Sequence, residues 1–140
     1  MSQDSVELVL KGYRAFLAGD LERVAEMLDP DVQWNGIEIG PWDPADRDEV
    51  MSVLADRFAD GFRIELERCI GVGDQVVVSF RAAGVERDPA DDRPLQTRRY
   101  FTVGRYFAVV TIRDGRVVKV EDYPHLSAAL EAVGLDAEHT

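Results

Sequence analysis

A chain of 140 residues fits one domain and can bury about two thirds of the surface its unfolded form exposes, so no disulfide or metal is needed to hold it together. Its 16 Lys and Arg against 27 Asp and Glu leave a net charge of -11, which argues against nucleic acid or an anionic membrane as partner, since both are met by clustered cations. With 46% apolar and 31% charged residues, no apolar run of spanning length, and an N-terminus without a basic segment or small-residue cleavage site, the composition predicts a soluble cytoplasmic protein.

Val6, Val9, Leu10, Tyr13, Phe16 and Leu17 recur at helical spacing and end at Gly19, predicting a first amphipathic helix with Tyr13 on its inner stripe. Asp20 then caps a short second helix with Leu21, Val24, Ala25 and Leu28 inward, stopped by Pro30. Val32 to Asn35 reads as a short strand, and Gly36 to Arg47, with two glycines and two prolines, as a loop over an opening. Asp46 and Glu49 form an acidic capping box for a third helix carrying Val50, Val53, Leu54 and Phe58, with Gly61 as its stop.

The period then changes to two. Phe62, Ile64 and Leu66 alternate with charged residues, a turn follows at Gly71 to Asp74, and Gln75 to Glu86 is a more apolar strand with Arg81 in its middle. Arg87 to Arg99 is a charged loop. Tyr100 to Arg113 is a long strand with Tyr100, Thr102, Tyr106, Ala108 and Val110 on one parity and Phe101, Val103, Phe107 and Val109 on the other. The wholly apolar parity is expected to carry helices, and the mixed one a cavity or partner. Asp114-Gly115 supplies a hairpin turn, the last strand runs to Pro124, and Leu126 to Val133 forms a terminal helix. The plan is α+β in a single domain over 1–140, with a frayed tail at about 136–140.

In the last strand Val118, Val120 and Asp122 share one parity while Lys119 and Glu121 share the other, which puts Asp122 on the apolar face. Burial disfavours a charged carboxylate, and a carboxylate so placed can work as general acid or base near neutral pH. The plainer reading has Asp122 half solvated at a strand end, paired with an Arg. Cys69 is the single cysteine, has no ligand spacing around it, and reads as a small buried hydrophobe. The acidic clusters at Asp43 to Glu49 and Asp88 to Asp92 lack calcium-loop spacing, so no metal is expected.

The opening LVLKGYRAFLAGDLERVAEMLDPDVQW and the ending DGRVVKVEDYPHLSAALEAVGL resemble the SnoaL-like and limonene-epoxide-hydrolase-like branches of the nuclear-transport-factor-2-like superfamily, from about Val6 to Leu135. The resemblance implies a cone-shaped, curved mixed sheet wrapped around three N-terminal helices, an internal apolar pocket, and a homodimer through the outer sheet face. In the epoxide-hydrolase-like pattern an Asp-Tyr step follows the hairpin Gly, and Gly115 with Asp122-Tyr123 reproduces it. The Arg of an Arg-x-Asp on an earlier strand is matched by Arg81, with Ala83 where the second carboxylate belongs, and Tyr-x-Asn aligns with Trp34-Asn35-Gly36, the Tyr replaced and the Asn displaced by one position. Three ketosteroid-isomerase positions are unmatched, whereas the cyclase pattern needs one Asp.

The expected site therefore has Asp122 and Arg81 as a catalytic pair across the sheet, with Tyr13, Trp34, Asn35, Tyr106 and His125 as substrate-binding walls and rim. Two readings stay open. One is a cofactor-independent cyclase, isomerase or hydrolase acting on an apolar cyclic small molecule such as a polyketide or terpenoid. The other is a non-catalytic ligand-binding or dimerisation module with the same fold.

Overall fold

Local chemistry sets the helix boundaries in the computed structural model, which describes residues 2–35, 46–59, 63–83 and 104–135. Helix α1 spans Ser2–Leu17 and α2 spans Leu21–Glu26, and between them Gly19 turns the chain at φ +76°. A Cβ there would also meet the tip of the exposed Phe58 ring at 2.9 Å, which the ring can relieve by turning aside, so the positive φ is what calls for glycine. Asp20 caps α2 by accepting from the Arg23 amide at 3.3 Å. Asp46 caps α3, Arg47–Ala59, by accepting from the Glu49 amide at 2.8 Å, as the capping-box spacing predicts.

Strand β1 covers Leu28–Asn35, four residues more than the sequence reading allowed, and takes Leu28 from the helix into the sheet. Pro30 is tolerated because β1 is an edge strand, where a missing N–H costs little. Strands β2 (Arg63–Val72), β3 (Gln75–Ala83), β4 (Gly104–Arg113) and β5 (Arg116–Tyr123) follow, then helix α4, Leu126–Ala132. The turn between β4 and β5 has Asp114 at φ 53° and Gly115 at φ 77°, the left-handed pair that Asp-Gly predicts. The expectations for Gly36 to Ala45, Gly61, Phe62, residues 84–103 and the tail at 136–140 lie outside the described residues.

Among the described residues the sheet has five strands in the order β1-β5-β4-β3-β2, curled but unclosed, with β1 parallel to β5 and the other pairs antiparallel. Its inner face carries Val76, Val78, Phe80, Tyr106, Ala108, Val110 and Val120, and α1, α2 and α3 close over it through Ala15, Phe16, Val24 and Val50. Its outer face carries Val77 and Val109, against which α4 lays Ala129 and Leu130.

One expectation is met in part, since α4 lies on the apolar parity but the mixed parity carries helices as well. The N-terminal helices cover the mixed parity of β4, and the apolar parity with Phe107 and Val109 faces α4. Both parities of β3 and β4 are apolar enough to be buried, so two helix layers use them. Leu17 is exposed instead of inward, and Phe58, also exposed, leans over Gly19 with its ring edge-on to Phe16.

Candidate functional site

Strands β1, β3 and β5 run the same way and end at Asn35, Ala83 and Tyr123, while β2 and β4 begin beside them. Asp122 stands on the inner face at this end. Register carries its row across the sheet through Ala108 and Val78 to Cys69, four residues from four strands on one face. Ala108 and Val78 are buried, so the carboxylate borders an apolar floor. One row nearer the sheet end, Tyr106 lies opposite Phe80, with ring centroids 5.8 Å apart and planes 25° from parallel. Tyr106 is thereby the diagonal neighbour of Asp122.

The half-buried Asp122 accepts a hydrogen bond from Trp34, Nε1 to Oδ2 at 3.0 Å. Parallel pairing explains the contact. Trp34 is in register with Val120, so the indole rises from the inner face one side-chain step short of Asp122.

The other expected residues fall elsewhere. Arg81 does not join Asp122: in β3 it alternates with Val78 and Phe80, so it projects from the outer face, exposed, opposite Glu65 and Arg105. There Arg105 is bonded to Glu67, Nε to Oε1 at 3.0 Å. Asn35, next after Trp34, is in register with Glu121 on the outer face. His125 is exposed at the start of α4, the helix packed on the outer face, and its side chain caps nothing. Tyr13 lies under α1 as expected, but its hydroxyl is committed to backbone, donating to Ile64 O and accepting from Leu66 N, both at 3.0 Å. It lies along β2, the last strand of the sheet among the described residues, beside the bulge between Leu66 and Arg68.

Phe80 and Cys69 face the same surface and were not foreseen in the site. The alternation of β3 held the signal: Val76, Val78, Phe80 and Ala82 are all apolar, whereas Gln75, Ser79 and Arg81 share the other parity. Cys69 is half-buried against the core, and burial pushes its thiol above the ordinary 9.0. On the outer face the Tyr123 hydroxyl donates to Glu121 at 3.4 Å, and desolvation together with that carboxylate raises the phenol above its ordinary value. Among the described residues no group of three or more His, Cys, Asp and Glu is placed to hold a metal ion, and no helix is long and apolar enough to cross a membrane.

A carboxylate at the edge of an apolar floor, held by an indole and flanked by a stacked aromatic pair, can bind a planar apolar molecule and exchange a proton with it.

Comparison with known proteins matches the SnoaL-like domain to residues 9–120. No curated protein matches in sequence. Among solved structures the chain is similar to Bal32a from a soil-derived mobile gene cassette, at 19% identity and TM-score 0.69, covering 87% of this chain and 89% of that one. It is also similar to a limonene-epoxide-hydrolase-like epoxide hydrolase of M. tuberculosis, at 14% identity and TM-score 0.66, covering 87% and 83%. A nuclear-transport-factor-2-like protein of unknown function from Burkholderia pseudomallei shares 22% identity over 98% of this chain and 99% of its own, with TM-score 0.65. At these identities the likeness is one of fold.

Proposed function

The chain belongs to the SnoaL-like domain family, and we propose that it is a small-molecule enzyme in which Asp122 acts as general acid and base, without a cofactor, on an apolar cyclic metabolite such as a polyketide or terpenoid. The observation that carries this reading is the position of Asp122, half-buried on the helix-covered face beside buried Ala108 and Val120. A carboxylate in such surroundings is placed to exchange a proton with a bound molecule.

Within that class, chemistry that needs one carboxylate is favoured. A cyclisation or isomerisation takes a proton from carbon or oxygen and returns one, and a single Asp can do both. Hydrolysis of an epoxide by the family's two-carboxylate scheme needs a second acid and an Arg between them, and Arg81 projects from the opposite face. The alternative, a ligand-binding or dimerisation module without catalysis, draws on the same observation, since an apolar face with one carboxylate also suits binding alone. A homodimer joined through the outer face, on which α4 lies, is part of either proposal.

The test begins with a thermal-shift screen of epoxides, polyketide intermediates, steroids and terpenoid lactones. A ligand at about a hundred times its dissociation constant stabilises by roughly 2.7 kcal/mol, on the order of 5–10 °C for this size. With a ligand in hand, Asp122→Asn is expected to lower turnover by roughly 10²–10⁴ while affinity changes little. Binding without turnover by the native chain would establish the module, and turnover unchanged by Asp122→Asn would remove Asp122 from the mechanism.

A further inference from the structure

We propose that Trp34 is the positioning residue for Asp122: its indole N–H fixes the direction of the carboxylate and favours the ionised form, so that Asp122 enters the reaction as a base. The inference rests on the reading of Asp122 above and adds the state in which that residue starts.

The indole nitrogen is a donor with no acceptor capacity. A hydroxyl in its place could turn to serve either protonation state of the carboxyl group. The indole cannot. Its bond to Oδ2 at 3.0 Å is stronger to an anionic oxygen than to a neutral one, so it opposes the cost that burial imposes on the charge. The ring is also anchored. Trp34 packs against the core cluster, and the pairing of Trp34 with Val120 sets its root on the same face as Asp122.

On the inner face Tyr106 is the diagonal neighbour and Cys69 ends the row. From the helices, α1 turns Tyr13 onto the β2 backbone, and α3 presents Val50, Met51 and Leu54 to the core. When the carboxylate takes a proton from a substrate C–H or O–H, the electron pair stays on the substrate, Asp122 becomes neutral and the indole bond weakens. Returning the proton restores it. The indole therefore resets the base after each cycle.

The experiment uses the full chain labelled with ¹⁵N and needs no substrate. It has two tryptophans, Trp34 and Trp42, and Trp34→Phe identifies the Trp34 indole resonance by its loss. That resonance is expected to move with pH along a titration that vanishes in Asp122→Asn. In a second measurement, ¹³C spectra of the Asp carboxyl groups, Trp34→Phe should raise the Asp122 midpoint by about one pH unit, a tenfold change in proton affinity. An indole signal that ignores Asp122, or a titration that persists in Asp122→Asn, would overturn the proposal, as would an unmoved Asp122 midpoint. Should Trp34→Phe fail to fold, the Asp122→Asn spectra decide alone, with the indole signals assigned through Trp42→Phe. Neither measurement reads turnover, so an intact indole bond in a protein without activity would refute the enzyme and leave the bond standing.

Discussion

Replacing Tyr13 by Phe removes one oxygen atom and, with it, both bonds that tie α1 to the edge of the sheet. The hydroxyl donates to Ile64 O and accepts from Leu66 N, each at 3.0 Å and partly buried. A neutral hydrogen bond contributes about 0.5–1.5 kcal/mol net, and the cost rises when the abandoned backbone group cannot reach water. Two bonds at a half-covered edge give a loss of about 2 kcal/mol. With unfolding entropy of about 2.1 cal/mol/K per residue, each kcal/mol moves the Tm by roughly 3.5 °C here, so a fall of about 7 °C is expected. Urea unfolding checks the value: the midpoint should drop while the slope stays constant, because the surface exposed on unfolding is unchanged. A loss below about 0.5 kcal/mol, within the range of indifferent surface changes, would show that the edge of β2 does not need the hydroxyl. Weakened ligand binding at unchanged stability would return Tyr13 to the binding surface.

On the outer face, Leu130 is fully buried against Val77 and Val109, and Leu130→Ala should cost roughly 2–5 kcal/mol. A loss under 1 kcal/mol by the same urea titration would mean that α4 is not a structural part of the domain. Burial raises the Cys69 thiol above 9.0, so folding favours its neutral form, and the associated stability is full below the unfolded value and lost as pH rises through the folded one. Labelling by a thiol reagent should be slow at pH 8 relative to the urea-unfolded chain and accelerate above pH 9. Equal rates at pH 8 would contradict the half-buried, protonated thiol.

Much of the scaffold is legible in single residues. Asp20, Asp46 and the Asp114-Gly115 pair each work within four residues of chain, where geometry follows from side-chain chemistry alone, and all three do what their spacing predicts. The family is legible for the same reason, in contiguous patterns of the chain, and the SnoaL-like match runs over residues 9–120. The parity of β5 also placed Asp122 on the inner face, because Lys119 and Glu121 mark the other side as wet.

The rest of the site needed tertiary structure. In β3 the parity of Gln75, Ser79 and Arg81 is the more polar, yet Val77 and Ser79 on it are buried too, and the carry-over of Arg81 set that alternation aside and chose the wrong face. The ladder from Val78 through Ala108 to Asp122 settles it. Asn35 missed for a related reason, since a strand turns successive side chains to opposite faces and the ladder gave Trp34 the inner one. Trp34 and Asp122 are 88 residues apart, and Tyr13 is 51 residues from Ile64. No local spacing encodes such contacts. By itself the sequence determined the helices, the hairpin, the family and the inward carboxylate, because these rest on short-range backbone preference and period. The fold decided the partner of that carboxylate and which helix layer covers each face of β3, because strand register is a long-range agreement among side chains that no single segment contains.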